Sequence, residues 1–227
     1  NSSLRFNLIA KLSGIPKIYQ YPLFTKTKQH ITETPKNFLK KNLDLQVNED
    51  PEIQINNETV SKAIQKFQIN KEEINILLGI GGSGPTKRIP VNTFLDVIDK
   101  ISKIKNCKFF LATGKANQEQ EILKEILQSK FKDLCFRLDN LSINEILPVI
   151  KNCNISICND SSFSHLSSAL GIKTITLMAD TPLIYGNYNS KMFPIIPDGE
   201  KTVSHNTLGK EKINPKKIFE KFIEIID

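Results

Sequence analysis

Two clusters of polar residues in this sequence have the types and spacing needed to hold an anion. The first is the glycine-rich segment Gly79 to Arg88, in which Ser83 and Thr86 offer hydroxyl groups and Lys87 offers a positive charge. The segment fits neither the GxxxxGK[ST] phosphate loop nor GxGxxG at its usual spacing. An ordinary flexible loop is the alternative. Glycines and cations directly after a buried strand favour ligand binding, because such sheets bind ligands there.

The second cluster is a turn between the apolar run 155–158 and a following helix. Asp160, Ser161 and Ser162 lie in the turn, and His165 lies in the first helical turn, where the helix dipole disfavours its protonated form. Backbone N–H groups at the start of a helix can hold a phosphate. Asp160 alone fits a helix cap, and a lone histidine there usually packs. Together these residues indicate a site for a nucleotide or a sugar diphosphate.

A third segment, Gly114 to Glu121, follows the next strand along the predicted sheet. In sheets of this kind an acidic residue at this position often binds ribose hydroxyls. A solvated helix start, in which glutamates suit the dipole, explains the segment equally well. The sequence does not separate Glu119 from Glu121 as the candidate.

The elements that would position these clusters alternate between strands and helices from residue 57 onward. Strands are predicted at 74–78, 107–112, 134–138, 155–158, 174–178 and 192–196. Helices are predicted at 57–67, 91–104, 119–127, 143–150 and 215–226, with one more after Ser162 that ends at Gly171. Strands that alternate with helices of this length predict an α/β fold, a Rossmann-like doubly wound parallel sheet.

The first 56 residues have a different pattern. It predicts a helix that ends at Ser13-Gly14, a strand at Lys17–Tyr21, a loop over 21–29, and a second helix capped by Thr34. The stretch 45–55 is polar and poorly periodic. We therefore predict two domains, 1–56 and 57–227. The chain begins without Met, apparently within a helix, and we expect it to be a fragment.

Composition narrows the classes of partner. The net charge of +7 comes mainly from scattered lysines, with only three arginines and no tryptophan, so we expect no nucleic-acid binding. A solvated surface explains the lysines, and attraction to anionic lipids or to a phosphorylated substrate is the functional alternative. No apolar run approaches the ~20 residues of a membrane span. The four cysteines lack metal-ligand spacing, and we expect reduced core residues in a cytoplasmic protein.

The same segments resemble glycosyltransferase family 9, the ADP-heptose:lipopolysaccharide heptosyltransferases. The run DSSFSHLSSALG, Asp160 to Gly171, resembles the family's most specific signature, with Ser162 in place of its glycine. GGSGPTKRIP resembles the family's Gly/Ser loop with its lysine, with Ile89 where tryptophan is usual. TPLIYG and Ile213–Pro215 also follow the pattern, and Leu4–Gly14 resembles a helix of the family's first domain.

The resemblance implies the C-terminal donor-binding domain of a two-Rossmann-domain, GT-B type enzyme, plus the tail of its N-terminal, acceptor-side domain. The implied reaction is inverting transfer of a heptose-like sugar from an ADP-sugar to the lipid A core at the inner membrane surface. The acceptor-activating base would lie in the missing N-terminal part, so no catalytic residue is assigned. No Asp-x-Asp metal pattern is present, and no metal or cofactor is expected. The donor would be held by Ser83, Thr86, Lys87, Glu119, Asp160, Ser161, Ser162 and His165.

Other functions fit the same architecture. A UDP-sugar transferase or a nucleotide-sugar epimerase would use the same kind of donor site. A non-catalytic donor-binding remnant is a further alternative, because half of such an enzyme would be absent. A basic nucleic-acid-binding module is the least favoured, for lack of any motif.

Overall fold

The structure is a computed structural model that describes residues 4–20, 31–82 and 84–226. The chain forms two compact units, Asn1–Asp50 and Pro51–Asp227.

In the smaller unit, the described residues form two helices. Helix α1 spans Leu4–Leu12 as predicted, and none of its residues is buried. Helix α2 spans Glu33–Leu43, so its N-cap is Thr32 and the prediction of Thr34 as the cap was wrong. The strand predicted at Lys17–Tyr21 was also wrong over its described residues, 17–20, which form no strand. A strand needs a partner for its backbone groups, and these residues have none in the described part of the unit.

The larger unit is built on one parallel sheet of six strands. The strands are β1 Ile74–Gly79, β2 Cys107–Ala112, β3 Cys135–Arg137, β4 Ile155–Asn159, β5 Lys173–Leu177 and β6 Met192–Ile195. Their order in the sheet is β3-β2-β1-β4-β5-β6. This is the doubly wound, Rossmann-like order, and it confirms the predicted fold class.

The strand order reverses between β1 and β4. These strands pair in parallel, with Leu78 opposite Ile157 and Gly79 opposite Cys158. The connections leave the sheet in opposite directions from this pair, so a crevice opens at their carboxyl ends. The glycine-rich segment follows β1 and the Asp160 turn follows β4, which places both predicted clusters at the crevice.

Six helices are formed by the residues that the structure describes in this unit. They are α3 Asn57–Lys66, α4 Val91–Ser102, α5 Asn117–Gln128, α6 Ile143–Lys151, α7 Ser162–Ala169 and α8 Pro215–Ile226. Short 3-10 turns occur at Lys132–Leu134, Leu183–Tyr185 and Lys210–Lys212. Helix α5 begins two residues before the predicted start, at Asn117, so that Glu119 falls in its first turn.

Both faces of the sheet are covered, because strand residues alternate between two cores. Leu78 and Leu111 point toward the core that contains residues of α4, α5 and α8. Leu77 and Phe110 point toward the core that contains residues of α3 and α6 and apolar side chains of α7. Parallel strands buried on both faces need the continuous apolar runs that the sequence shows.

Residues 51–56 lie with the larger unit. The amide of Ile53 donates to the carbonyl of Ala169 at 2.8 Å, and Ile53 and Ile55 pack against the second core. The compact units therefore divide six residues before the predicted domain boundary at 56/57. That boundary stays a prediction about the domains of the protein.

The cysteine side chains take part in packing. Cys107, Cys153 and Cys158 are buried and Cys135 is half-buried, and all four are free thiols. Burial raises the pKa of the Cys158 thiol to about 12, so this thiol stays protonated at neutral pH. Within the described ranges no group of three or more His, Cys, Asp or Glu could hold a metal ion. In the same ranges no helix is long and apolar enough to span a membrane.

The packing of α8 against the first core can be tested by a matched pair of substitutions. Ile218 is fully buried and Ile223, on the same helix, is 37% exposed. We expect Ile218→Ala to lower the free energy of unfolding by about 2–5 kcal/mol, because it removes buried methyl groups and leaves a cavity. Ile223→Ala should lower it by much less, although the change in helix propensity is the same. Urea denaturation followed by circular dichroism measures both, and equal effects would contradict this placement of α8.

Candidate functional site

A cavity of about 440 Å³ lies at the carboxyl ends of β1, β2 and β4. Ligand pockets in proteins usually have volumes of ~300–1,000 Å³. The lining residues come from the glycine-rich segment, the end of β2, the first turn of α5 and the start of α7. They are Gly81, Gly82, Thr113, Gly114, Glu119, Ser161, Ser162 and Phe163.

Asn159, the last residue of β4, holds the glycine-rich segment in place. Its side chain is fully buried, and its amide nitrogen donates to the carbonyls of Ile80 at 2.9 Å and Gly81 at 3.2 Å. The amide of Ile80 also donates to the carbonyl of Ala112 in β2 at 3.0 Å. The first turn of the segment is therefore tied to both neighbouring strands. A fixed backbone can approach a ligand without further loss of conformational entropy.

Glu119 faces the cavity, and this separates it from Glu121. The Glu119 side chain accepts a hydrogen bond from the amide of Gly82 at 2.7 Å, whereas Glu121 is exposed. A Cβ on Gly81 would lie 2.6 Å from Glu119 Oε1, so the segment needs a glycine at this position. The same Cβ would lie 3.0 Å from Thr113 Oγ1. This hydroxyl oxygen is buried and has no hydrogen-bond partner among the described residues.

Lys87 and Asp160 form an ion pair between the two predicted clusters. Lys87 Nζ lies 2.7 Å from Asp160 Oδ2, and the side chains are 28% and 5% exposed. The pair joins the loop after β1 to the turn after β4. Asp160 accepts one of the three hydrogens of the ammonium group, which leaves two further donors on a side chain that is partly exposed.

The start of α7 forms another wall of the cavity. Ser161 is the N-cap, but its side chain makes no capping hydrogen bond and its hydroxyl oxygen is buried without a partner. The carbonyl of Ser161 accepts from the Ser164 hydroxyl at 2.7 Å. Ser162 is exposed at the cavity. The amide of Ser164 donates to the carbonyl of Ser161 at 3.1 Å. The two amides before it, of Ser162 and Phe163, come too early in the helix to have a carbonyl one turn back, and such amides can bind an anion.

His165 lies one turn into α7 and is electrostatically coupled to both members of the ion pair. Burial lowers the pKa of His165 below its usual 6.5, the Asp160 carboxylate raises it, and the Lys87 ammonium lowers it. Burial has the largest effect, so the imidazole is neutral at pH 7. Its Nδ1 lies 2.7 Å from the hydroxyl oxygen of Tyr188.

The structure brings most of the predicted residues to one place. Glu119, Ser161 and Ser162 line the cavity, and Lys87, Asp160 and His165 form a coupled group at the adjoining turn. Thr86 is half-buried and does not line the cavity. Ser83 lies outside the described residues, so its predicted role keeps the status of a prediction.

Three residues at or beside the cavity were missed by the sequence reasoning. They are Thr113, Phe163 and Tyr188. The position of Thr113, a polar residue directly after a buried strand, was a usable signal. The sequence around Tyr188 gave no such signal, because the contact of Tyr188 with His165 depends on the path of a loop.

Comparison with known proteins agrees with this fold. The model for glycosyltransferase family 9 (heptosyltransferase) matches residues 18–217. The lipopolysaccharide heptosyltransferase 1 of Campylobacter coli is 29% identical over 150 residues, which are 64% of this chain and 43% of that protein. The chain belongs to glycosyltransferase family 9.

Solved structures of this family share the fold at low sequence identity. A family 9 glycosyltransferase from Veillonella parvula has a TM-score of 0.77 at 18% identity, over 95% of this chain and 65% of the other. E. coli ADP-heptose LPS heptosyltransferase II has a TM-score of 0.67 at 20% identity, over 82% of this chain and 56% of the other. The E. coli heptosyltransferase WaaC with ADP has a TM-score of 0.63 at 17% identity, over 89% of this chain and 58% of the other. The chain thus spans about half to two thirds of these proteins.

The electrostatics of the site predict how His165 titrates. We expect its midpoint below 6.5, measured from the imidazole Cε1–H signal by NMR and assigned with His165→Gln. Lys87→Met should raise the midpoint, because it removes a nearby cation. Asp160→Asn should lower it further, because it removes a nearby anion. A midpoint above 6.5 in the unsubstituted chain would refute the burial of this ring.

Proposed function

We propose that this chain carries the nucleotide-sugar half of a heptosyltransferase. It would bind an ADP-sugar, and the enzyme would transfer a heptose-like sugar with inversion to a hydroxyl group of the lipopolysaccharide core. The cavity at the β1/β4 crevice, with the Lys87–Asp160 pair beside it, is the observation on which this proposal rests. Family membership supports the reaction class, and the similarity to the solved complex of WaaC with ADP supports the nucleotide.

Lys87 would bind the diphosphate of the donor. The leaving group of this reaction is a nucleoside diphosphate, whose negative charge grows as the bond to the sugar breaks. A cation held at 2.7 Å by a nearly buried carboxylate is already oriented before the donor binds. Such preorganised groups contribute ~3 kcal/mol each to stabilisation of a transition state.

The start of α7 would complete the anion site without a metal ion. Its first amides and the hydroxyls of Ser161 and Ser162 are donors, and the neutral ring of His165 can donate one further hydrogen bond. Glu119, at the opposite wall, would accept from the ribose hydroxyls, as acidic residues do at this position in related sheets. We propose metal-independent leaving-group stabilisation with no cofactor on this basis.

The acceptor side is proposed only at the level of its chemistry. The acceptor would be a hydroxyl of the lipid A core, reached from the cytoplasm at the inner membrane surface. No residue of this chain is assigned as the base that removes the acceptor proton. Thr86 and Ser83 remain proposed donor contacts from the glycine-rich segment.

Nucleotide preference tests the identity of the donor. We expect the chain to bind ADP and ADP-sugars at least tenfold more tightly than UDP and UDP-sugars, measured by isothermal titration calorimetry. A preference for UDP-sugars would favour the alternative transferase or epimerase. Binding of ADP-sugar without transfer to a lipid A-core acceptor, when the chain is assayed within a full-length enzyme, would favour the donor-binding remnant. Absence of binding to any nucleotide would exclude a donor site.

Removal of the cation tests the role of Lys87. We expect Lys87→Ala to weaken ADP binding by at least an order of magnitude with the fold intact, and to lower sugar transfer in a full-length enzyme by a similar factor. Lys87→Arg should keep part of the affinity because it keeps the charge. Lys103→Ala is the matched control, since Lys103 also pairs with a carboxylate but on the exposed side of α4.

One side effect of this substitution needs its own control. Lys87→Ala leaves Asp160 buried without its cation, which itself destabilises a protein. The double variant Lys87→Ala/Asp160→Asn removes the unpaired charge. An affinity loss that persists in the double variant reports the missing cation, whereas affinity restored to that of the unsubstituted chain would refute the role of Lys87.

A further inference from the structure

The contact between His165 and Tyr188 joins the site to a loop that has no assigned role. Tyr188 lies between the 3-10 turn Leu183–Tyr185 and β6, 23 positions from His165 in the chain. The two rings are stacked, with centroids 5.7 Å apart and an angle of 15° between their planes. The hydroxyl oxygen of Tyr188 and Nδ1 of His165 are 2.7 Å apart. Two separate interactions thus fix the orientation of the imidazole.

The loop that carries Tyr188 is anchored at its base. Asp180 is buried and accepts from the amide of Leu208 at 2.8 Å, and the carbonyl of Ala179 accepts from the amide of Gly209 at 3.0 Å. A Cβ on Gly186 would overlap the sulfur of Met178, so the chain packs tightly two residues before Tyr188. The tyrosine is therefore presented to His165 by a fixed backbone.

The chemistry of the pair sets the direction of its hydrogen bond. The charged groups coupled to His165 are Asp160 and Lys87, which act in opposite directions, and burial keeps the ring neutral. A neutral imidazole has one N–H donor and one acceptor nitrogen. A phenol is the stronger acid of the two groups and the imidazole nitrogen the stronger base, so the tyrosine hydroxyl donates to Nδ1. The ring hydrogen is then on Nε2.

We propose that Tyr188 is a positioning residue that holds His165 as the Nε2–H tautomer, so that the ring offers a neutral hydrogen-bond donor to the diphosphate of the bound nucleotide. This step rests on the proposed function, because it assumes that a diphosphate binds beside Lys87. The role is specific: Tyr188 does not touch the ligand but determines which ring nitrogen carries the hydrogen. Without Tyr188, the His165 ring could carry its hydrogen on Nδ1 instead. Its Nε2 would then be an acceptor with a lone pair, which a phosphate oxygen would repel.

The chain offers a matched control for this pair. Tyr185 lies on the same loop and contacts His205, with ring centroids 6.0 Å apart and an angle of 56° between the planes. Tyr185→Phe therefore removes a tyrosine hydroxyl beside a different histidine. Tyr188→Phe removes the hydroxyl beside His165 and keeps the aromatic ring available for stacking.

The tautomer can be read directly in the ligand-free chain. Long-range ¹H–¹⁵N NMR spectra distinguish protonated from unprotonated imidazole nitrogens, and the His165 signals are assigned with His165→Gln. We expect Nε2 protonated and Nδ1 unprotonated in the unsubstituted chain and in Tyr185→Phe, and a mixture of tautomers in Tyr188→Phe. Protonation at Nδ1 in the unsubstituted chain, or the same tautomer in Tyr188→Phe, would overturn the proposal.

ADP binding provides the second readout. Loss of one hydrogen bond predicts about three- to tenfold weaker binding of ADP in Tyr188→Phe and unchanged binding in Tyr185→Phe. In the His165→Gln background, Tyr188→Phe should have no further effect, because it acts through that ring. Additive effects of the two substitutions would overturn the proposal. Failure of the unsubstituted chain to bind ADP would instead reject the proposed function, and the tautomer measurement remains separately decisive.

Discussion

The candidate site depends on the parallel pairing of β1 with β4. These strands are far apart in the sequence, and each ends in a polar loop that faces the other only because the strands are neighbours. Asn159 strengthens this relation, since its buried amide bonds to two carbonyls of the loop after β1. The strand order reverses at this pair, so no helix crosses the opening. The cavity, the ion pair and the start of α7 are all consequences of that one pairing.

The charges of Lys87 and Asp160 at this crevice are paired before any ligand binds. Asp160 is nearly buried, and a buried carboxylate without a partner is costly, so Lys87 both stabilises the turn and is held by it. The neighbouring His165 is kept neutral mainly by burial. The described part of the site therefore contains the Lys87 ammonium group, the acidic side chains of Asp160 and Glu119, and several neutral donors. An incoming phosphate would share the ammonium group with Asp160, and this competition would weaken donor binding while it keeps the cation in place.

The periodicity of the sequence predicted the parallel sheet and the order of its elements well, because buried strands and amphipathic helices have distinct apolar patterns. Periodicity predicted local structure less well where that structure depends on contacts with residues elsewhere in the chain. The strand predicted at Lys17–Tyr21 has apolar residues, but its described residues, 17–20, pair with no strand in the described part of the chain. Thr34 was chosen as a cap although the helix begins one residue earlier, at Glu33.

The limits of prediction at the site have a physical origin. Glu119 and Glu121 were equivalent in sequence, and only the rotation of α5 distinguishes the cavity side from the exposed side. Tyr188 could not be predicted, because its contact depends on the path of a loop. Ile89, which replaces the tryptophan usual in the family, is fully buried and belongs to the first core rather than to the cavity. That replacement affects packing beneath the loop rather than direct contact with a donor.

The serines of α7, a helix of eight residues, allow it to pack closely against the sheet beside the crevice. Ser164, Ser167 and Ser168 are buried between the helix and the sheet, where Ser156 of β4 and Thr176 of β5 are also buried. Ser164 and Ser168 donate to carbonyls three residues earlier in the chain, at 2.7 and 3.1 Å, which satisfies these hydroxyls within the helix. Small side chains on this face let the helix axis approach the strands closely. A closer helix brings its first amides and His165 nearer to the β1/β4 crevice, so the small, polar face of α7 and the proposed anion site at its start are two effects of the same sequence.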